Sequence, residues 1–182
     1  MIILVGVAGA GKSMQGRLLS DERGFAWIST GEILRVLVTG KRRQEMLEGK
    51  LLSDAEMIRM MDKVLDLINL SEEFILDGFP RTTKQADWLV DQVHMERFKI
   101  TGIINLVTTE DVVMKRLQKR GRPDDTEDAI RHRFEEYEAV TKPLIKHLQA
   151  NGIPVWDIDA DQDPKVVHAQ IMKRLPQEES QE

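Results

Sequence analysis

The segment Ile2-Ile-Leu-Val5-Gly6-Val-Ala-Gly-Ala-Gly11-Lys12-Ser13 joins a short apolar run to a glycine-rich stretch. The apolar residues suit a strand that is buried on both faces, and Gly6 ends the run. The residues from Gly6 match G-x-x-x-x-G-K-[ST], a pattern in which backbone N–H groups and a helix N-terminus surround phosphate oxygens. Lys12 would reach the β and γ phosphates, and the Ser13 hydroxyl is a candidate Mg²⁺ ligand. The segment therefore predicts a phosphate-binding loop and nucleotide binding.

Further apolar runs alternate with longer helical stretches along the rest of the chain. The candidate strands are residues 25–28, 74–76, 102–107 and 154–158. The clearest helical stretch is 126–149, where apolar residues recur at helical spacing. Strands that alternate with helices predict βαβ crossovers and a parallel sheet. We therefore expect an α/β fold, a three-layer α/β/α arrangement with a five-stranded parallel sheet, in one domain 1–182 whose polar end, 176–182, is frayed.

Helix starts are indicated by polar residues at the right spacing. Ser29-Thr-Gly-Glu32 and Ser53-Asp-Ala-Glu56 both have the capping-box pattern, in which a Ser and a Glu three residues on satisfy the first helical N–H groups. Thr109 precedes an apolar-periodic stretch that runs toward Gly121. Helices are therefore expected to begin next to residues 29, 53 and 109.

The composition excludes several kinds of site. The 182 residues include no cysteine, which excludes a disulfide framework, a thiolate zinc site and a cysteine nucleophile. No apolar run reaches 18 residues and the first residues lack a basic signal-peptide region, so we expect a cytoplasmic protein without a membrane partner. With 26 Lys+Arg against 31 Asp+Glu, the net charge is −5. This acidic net charge disfavours nucleic acid as the main partner.

A second motif follows another apolar run. Phe74-Ile-Leu-Asp77-Gly-Phe-Pro80-Arg81 places a carboxylate at the end of a strand, before a tight turn and an arginine. By itself Asp-Gly is a common turn. Beside a phosphate-binding loop, however, such an acid holds Mg²⁺ or its waters. Asp77 is therefore predicted to bind Mg²⁺ through water.

With both motifs in hand, the chain resembles the adenylate kinases of the nucleoside monophosphate kinase family. The matches run in order to about residue 160 and comprise Gly-Ala-Gly-Lys (9–12), Ser-Thr-Gly-Glu-Ile-Leu-Arg (29–35), Glu-Gly-Lys-Leu-Leu (48–52), Leu-Asp-Gly-Phe-Pro-Arg-Thr (76–82) with Gln85, Arg-Leu-Gln-Lys-Arg-Gly (116–121), and Arg122-Pro-Asp-Asp with Arg133. The resemblance implies reversible phosphoryl transfer, ATP + AMP ⇌ 2 ADP, with ATP and AMP as substrates and Mg²⁺ as cofactor. It also implies AMP-binding helices in 29–58 and a minimal lid at 120–125. We expect a monomer.

The resemblance also implies a role for each matching residue. Those expected at ATP are Gly9, Ala10, Gly11, Lys12, Ser13, Met14, Arg116 and Arg120. Those expected at AMP are Thr30, Arg35, Lys50, Leu51, Leu52, Gly78, Phe79, Pro80, Arg81, Gln85, Arg122 and Arg133. The expected catalytic residues are Lys12, Arg81, Arg120, Arg122 and Arg133. Guanidinium groups suit phosphate because they donate two parallel hydrogen bonds, and the Gln85 amide suits adenine because it offers a donor and an acceptor.

The sequence departs from the family pattern at three places. Ala8 stands where the family usually has Pro. The family's Gly-Lys-Gly-Thr is Gly-Lys-Ser-Met here, so Met14 lacks the hydroxyl that reaches the α-phosphate, while Ser13 adds one a position earlier. Only Gly121 separates Arg120 from Arg122, so the lid is very short. Without cysteine the lid cannot hold a thiolate-bound zinc, and we expect no zinc.

Two other functions stay open on the sequence alone. A kinase of UMP or CMP has the same fold, although Thr30 and Gln85 favour adenine because pyrimidine-specific relatives usually differ there. A nucleotide-binding module with weak catalysis would account for Met14 and the short lid. A more distant phosphate-loop kinase of small metabolites is disfavoured by the motifs on the AMP side.

Overall fold

Five parallel strands form one sheet in the structure, a computed structural model that describes residues 1–40, 52–120 and 126–176. The strands are β1 (Ile2–Val5), β2 (Ala26–Ser29), β3 (Phe74–Asp77), β4 (Gly102–Val107) and β5 (Val155–Asp159). Their order across the sheet is β2-β3-β1-β4-β5, and every neighbouring pair is parallel. The predicted five-stranded parallel sheet is confirmed, and strands β1 and β4 have the predicted bounds.

Helices connect the strands. They are α1 (Lys12–Arg23), α2 (Thr30–Leu37), α3 (Asp54–Leu65), α4 (Thr83–His94), α5 (Glu110–Arg120), α6 (Glu127–Glu136), α7 (Lys142–Ala150) and α8 (Pro164–Met172). The helical stretch predicted at 126–149 is α6 and α7, joined by one π-helical turn at Tyr137–Thr141. Within the described ranges, no helix has the length and apolar character needed to cross a membrane.

The two predicted capping boxes have different outcomes. At the start of α3, the Ser53 hydroxyl accepts the Glu56 N–H at 3.3 Å, and the Glu56 carboxylate accepts the Ser53 N–H at 2.8 Å, so this box is confirmed. The box at Ser29 is wrong, because the Ser29 side chain caps no N–H of α2. The Glu32 carboxylate instead accepts a 2.7 Å hydrogen bond from the Arg35 guanidinium. A charged partner one turn on competes with the cap for this carboxylate.

Two apolar cores lie on opposite faces of the sheet, because successive side chains of a strand point to opposite faces. From β1, Ile3 and Val5 contribute to one core, and Ile2 and Leu4 contribute to the other. The first core includes buried residues of α3, α4 and α7, and the second includes buried residues of α1, α5 and α8. The predicted three-layer α/β/α arrangement is therefore confirmed.

The strand order determines where a ligand binds. Strand β1 lies between β3 and β4, and the chain leaves it toward β2 on one side of the sheet before it returns to β4 on the other. In parallel α/β sheets, ligands bind in the crevice at the carboxyl ends of the strands where the order reverses. The loop after β1 and the turn after β3 both open into this crevice.

Candidate active site

The loop between β1 and α1 has the backbone geometry of a phosphate cradle. Gly11 has φ +107° immediately before α1, a left-handed conformation that favours glycine. The Lys12 ammonium lies over the loop and donates to the carbonyl oxygens of Gly6 at 2.8 Å and Val7 at 3.1 Å. The loop therefore holds the lysine charge where phosphate oxygens would arrive, beside the first N–H groups of α1.

Ser13 and Asp77 meet across the mouth of the loop. The Ser13 hydroxyl donates a 2.9 Å hydrogen bond to Asp77 Oδ2, and Asp77 is 4 % exposed at the end of β3. A hydroxyl and a carboxylate are the oxygen donors that Mg²⁺ prefers, and Mg²⁺ is usually held by few protein groups together with phosphates and waters. These two residues therefore fit the predicted metal.

The turn after β3 requires a glycine. Gly78 has φ +85°, and a Cβ there would lie 2.5 Å from the hydroxyl oxygen of Thr30. Thr30 is fully buried and donates to the Asp77 carbonyl at 3.2 Å, while Arg81 Nε donates to the Gly78 carbonyl at 2.9 Å. The Phe79–Pro80 peptide bond is cis. Thr30, Gly78 and Arg81, all predicted at AMP, are thus brought together at the end of β3.

Arg35, also predicted at AMP, lies on α2 beside the same cleft. Its guanidinium pairs with Glu32, and the same carboxylate oxygen lies 3.9 Å from Arg17 Nη2. The Arg17 guanidinium also lies 5.1 Å from the centre of the Trp27 ring. Arg17 is therefore a second cation next to Arg35 that the sequence motifs did not indicate.

The Gln85 amide is engaged within the protein. Gln85 is 3 % exposed, its Oε1 accepts the Arg81 N–H at 2.8 Å, and its Nε2 donates to Asp54 Oδ1 at 2.9 Å. Both polar atoms of the residue predicted to pair with adenine therefore already have one partner each.

Arg133 and Tyr137 line one end of the cleft. With Lys12 and Arg81 they border a cavity of about 200 Å³. The Tyr137 hydroxyl donates to Asn105 Oδ1 at 2.8 Å, and Asn105 Nδ2 donates to Asp157 at 2.8 Å. Burial raises the pKa of Tyr137 above its usual 10.0, although the hydrogen bond to Asn105 opposes the shift. The sequence motifs did not indicate Tyr137, because its polar contact in this part of the structure is with Asn105, 32 residues away.

Arg116, on α5, contacts the back of the phosphate loop. Its guanidinium donates to the carbonyl oxygens of Ala160 at 2.7 Å and Ala10 at 3.4 Å, so it joins the phosphate loop to the segment after β5. In that segment, Asp161 accepts the Thr109 N–H at 3.1 Å, next to the start of α5. Burial raises the pKa of Asp161, but hydrogen bonds from Thr108 and Thr109 outweigh it and hold the pKa below 3.8.

A family model described as adenylate kinase matches residues 4–153. The chain belongs to the adenylate kinase family. Among curated adenylate kinases, that of Corynebacterium urealyticum is 38% identical over 166 residues, 88% of this chain and 90% of the relative. That of Corynebacterium glutamicum strain R is 35% identical over 180 residues, 96% and 98% of the two chains. That of Rhodopirellula baltica is 36% identical over 181 residues, 96% and 94%. The predicted family is confirmed, and with it the assignment to the nucleoside monophosphate kinases.

Several residues of the adenylate kinase pattern either lie outside the described residues or pack into the protein. Lys50, Leu51 and Arg122 lie outside the described residues, as do 41–49, the rest of the predicted lid (121 and 123–125) and most of the predicted frayed end (177–182). Arg120 is described only as the last residue of α5. Leu52 packs against the first core. Phe79 is buried, with its ring 5.9 Å from that of Trp88, which leaves its backbone for a nucleotide contact.

The phosphate-loop residues and Arg35 border a second cavity of about 580 Å³. Ala8, Lys12, Gly78 and Arg81 line this cavity and the cavity at Arg133 alike. Met14 also lines it and is 54% exposed. The two cavities are therefore parts of one cleft, and Lys12 and Arg81 lie where they join.

Proposed function

We propose that this protein catalyses ATP + AMP ⇌ 2 ADP in this cleft. The family assignment supports the reaction, and the observation that carries the proposal is the position of Lys12 and Arg81. One comes from the loop after β1 and the other from the turn after β3, and both line both parts of the cleft. Two cations at one junction are what a phosphoryl group needs when it passes between two bound nucleotides.

The ATP phosphates are proposed to lie in the loop after β1. Backbone N–H groups of 9–14 would surround their oxygens, and Lys12 would leave the loop carbonyls for the β and γ phosphates. Arg116, held against the loop by Ala10 and Ala160, would border the nucleotide. Arg120 is assigned to ATP by the family pattern alone.

AMP is proposed to lie between α2 and the turn after β3. Arg35 and Arg81 would bind its phosphate, Thr30 and 78–80 would border it, and Gln85 would pair with the base. Arg35 would exchange Glu32 for phosphate, which is a stronger partner in a site closed to water. Lys50, Leu51, Leu52 and Arg122 are assigned to AMP by the family pattern.

Mg²⁺ is proposed at Ser13 and Asp77, whose oxygens lie 2.9 Å apart. The ion, when bound, would neutralise charge on the phosphates of ATP. Ser13 would offer a direct ligand and Asp77 would hold waters of the ion. The zinc-free lid stays a prediction from the missing cysteines.

The side chains would act by position and charge. Phosphoryl transfer leaves the protein little covalent chemistry, so cations that surround the transferred group carry the catalysis. Lys12 and Arg81 lie at the junction and Arg133 lines one of the two cavities. Arg120 and Arg122 would complete the set when 29–58 and 120–125 close over the nucleotides. Greater hydrogen-exchange protection of these two segments with a bisubstrate analogue would support closure, and unchanged protection would refute it.

The test of the function replaces Arg81 by Ala and measures ADP formation from Mg²⁺-ATP with AMP, UMP and CMP in turn. We expect turnover with AMP to fall about 10²–10³-fold while the Kd of ATP stays within a factor of two, because a positioned transition-state donor is lost. Arg131→Ala is the matched control, since Arg131 is exposed on α6 and pairs only weakly with Glu110 at 3.7 Å. Wild-type turnover with UMP or CMP but not AMP would identify the pyrimidine kinase instead. Tight nucleotide binding without turnover would identify the inactive module.

The proposed partners are nucleotides alone, bound by a monomer. Light scattering during size-exclusion chromatography, with and without nucleotides, tests this. A dimer that forms only with nucleotides would contradict it.

A further inference from the structure

One carboxylate joins the starts of two helices beside the proposed AMP site. Asp54, the first residue of α3, accepts two hydrogen bonds at Oδ1, from the Thr82 hydroxyl at 2.7 Å and from Gln85 Nε2 at 2.9 Å. Thr82 itself caps α4 by accepting the Gln85 N–H at 3.3 Å. Asp54 thus links the start of α3 to α4, the helix that carries Gln85.

The two partners of the Gln85 side chain determine which way its amide points. An ionised carboxylate only accepts hydrogen bonds, so the group that faces Asp54 must be the NH₂. The Arg81 backbone N–H only donates, so the group that faces Arg81 must be the oxygen. In the reverse orientation, oxygen would face oxygen at Asp54 and N–H would face N–H at Arg81. Two independent contacts therefore select one orientation.

The fixed amide keeps one donor and one acceptor for a ligand. A primary amide has two N–H donors and two acceptor lone pairs, and the protein uses one of each. The remaining pair complements the edge of adenine, which offers an N–H donor at its 6-amino group and an acceptor at N1. A 6-oxopurine has an acceptor at position 6 and a donor at N1, so it complements only the reversed amide.

We propose that Asp54 is a positioning residue for monophosphate selection: through its bond to Gln85 Nε2, it holds the amide in the orientation that accepts a 6-aminopurine and rejects a 6-oxopurine. This rests on the proposed function, in which Gln85 pairs with the base. Asp54 touches no substrate in this role. It acts through Gln85, which is buried at 3% exposure, where a mispaired amide is costly.

The experiment measures steady-state kinetics of purified full-length variants with Mg²⁺-ATP and either AMP or IMP. Asp54→Ala removes the acceptor, and Asp54→Ser places a hydroxyl one bond short of the position of Oδ1. Asp54→Asn keeps a side-chain oxygen that can accept from Gln85 and Thr82. Asp62→Ala is the control, because Asp62 lies two turns along α3 and its carboxylate pairs with Arg97 on the surface. The melting temperature of each variant is recorded.

We expect Asp54→Ala and Asp54→Ser to raise the KM of AMP about tenfold and to leave the KM of ATP unchanged. The ratio of kcat/KM for AMP to kcat/KM for IMP should fall by about the same factor. IMP makes no matched pair with the fixed Gln85 amide, so its kinetics should not worsen when the amide is released. Asp54→Asn should restore both values to within about threefold of the wild type, and Asp62→Ala should change neither. The serine variant tests the proposal even if the alanine variant does not fold.

Three results would overturn the inference. The first is an equal rise in the KM of AMP and ATP, which a merely structural role would give. The second is an unchanged AMP-to-IMP preference in Asp54→Ala or Asp54→Ser. The third is an asparagine variant as impaired as the alanine variant. Gln85→Leu separates this failure from that of the proposed function. If it raises the KM of AMP while Asp54→Ala does not, base recognition by Gln85 stands and only the role of Asp54 falls. If Gln85→Leu leaves the KM of AMP unchanged, base recognition by Gln85 and the positioning role of Asp54 are both refuted.

Discussion

Replacing Tyr137 by Phe removes one hydroxyl from a chain of three polar side chains, of which Tyr137 and Asn105 are buried and Asp157 is exposed. That hydroxyl donates to Asn105, which is 6% exposed and donates in turn to Asp157. The phenyl ring keeps the packing of the tyrosine ring in the second core. The variant therefore leaves Asn105 Oδ1 without this donor and creates almost no cavity.

The expected loss in the free energy of unfolding at pH 7 is about 1–3 kcal/mol, the usual effect of an unpaired buried acceptor. The loss depends on pH. Because burial raises the pKa of Tyr137 above 10.0, its contribution is fully present below pH 10 and is lost as the pH rises through the folded pKa. At pH 11 the ionised tyrosine of the unfolded chain cancels up to about 1.4 kcal/mol of the difference between wild type and variant.

Two measurements check this. Urea unfolding of wild type, Tyr137→Phe, Asn105→Ala and the double variant, at pH 7 and at pH 11, gives the differences in stability and the coupling between the two residues. Tyrosinate absorbance gives the pKa directly, since Tyr137 is the only tyrosine in the sequence. The unfolded chain in urea provides the reference titration.

We expect a coupling of about 0.5–3 kcal/mol between Tyr137 and Asn105. This expectation is wrong if Tyr137→Phe costs as much stability in the Asn105→Ala background as in the wild type. A folded protein whose tyrosine titrates at or below pH 10 would also refute it, as would a stability difference that is constant between pH 7 and pH 11.

Other predictions concern the phosphate loop, the turn after β3 and the start of α5. Met14→Thr should lower the KM of ATP severalfold in steady-state kinetics, because a hydroxyl regains the α-phosphate contact; an unchanged KM would show that Ser13 already compensates. Gly78→Ala should lower stability by about 1–3 kcal/mol in urea and abolish AMP turnover, since φ is +85° and the new Cβ would meet Thr30, whereas wild-type kinetics would contradict this. Asp161→Ala should cost about 1 kcal/mol at pH 7. That cost should shrink as the pH falls below 3.8 through the lowered pKa of Asp161, and a pH-independent cost would contradict it.

The sheet could be predicted from the sequence because its strands are short, continuous apolar runs. Strands β1 and β4 are buried on both faces for most of their length, so composition alone identified them. Strands β2 and β5 begin one residue later than predicted. Both lie at the edges of the sheet, where burial is incomplete and the apolar signal is weaker.

The motifs located the cleft, because a motif of fixed spacing in a loop or turn predicts the local structure of that same segment. Contacts between distant segments had no such signal. Asp54 and Gln85 are 31 residues apart, and Tyr137 and Asn105 are 32 apart. The Ser29 capping box failed for a different, local reason: the Ser-x-x-Glu pattern does not show that Arg35, three residues after Glu32, takes the Glu32 carboxylate.

The strand order gives the two halves of the cleft unequal mechanical support. The loop that would hold the phosphate donor follows β1, which has a hydrogen-bonded neighbour on each side and a core on each face. The helix that would hold the acceptor follows β2, at the rim of the sheet. Local opening of α2 therefore breaks fewer cooperative contacts than opening of the loop. We therefore expect the acceptor side of the cleft to open more readily than the donor side, so that AMP would exchange with solvent faster than ATP before each transfer.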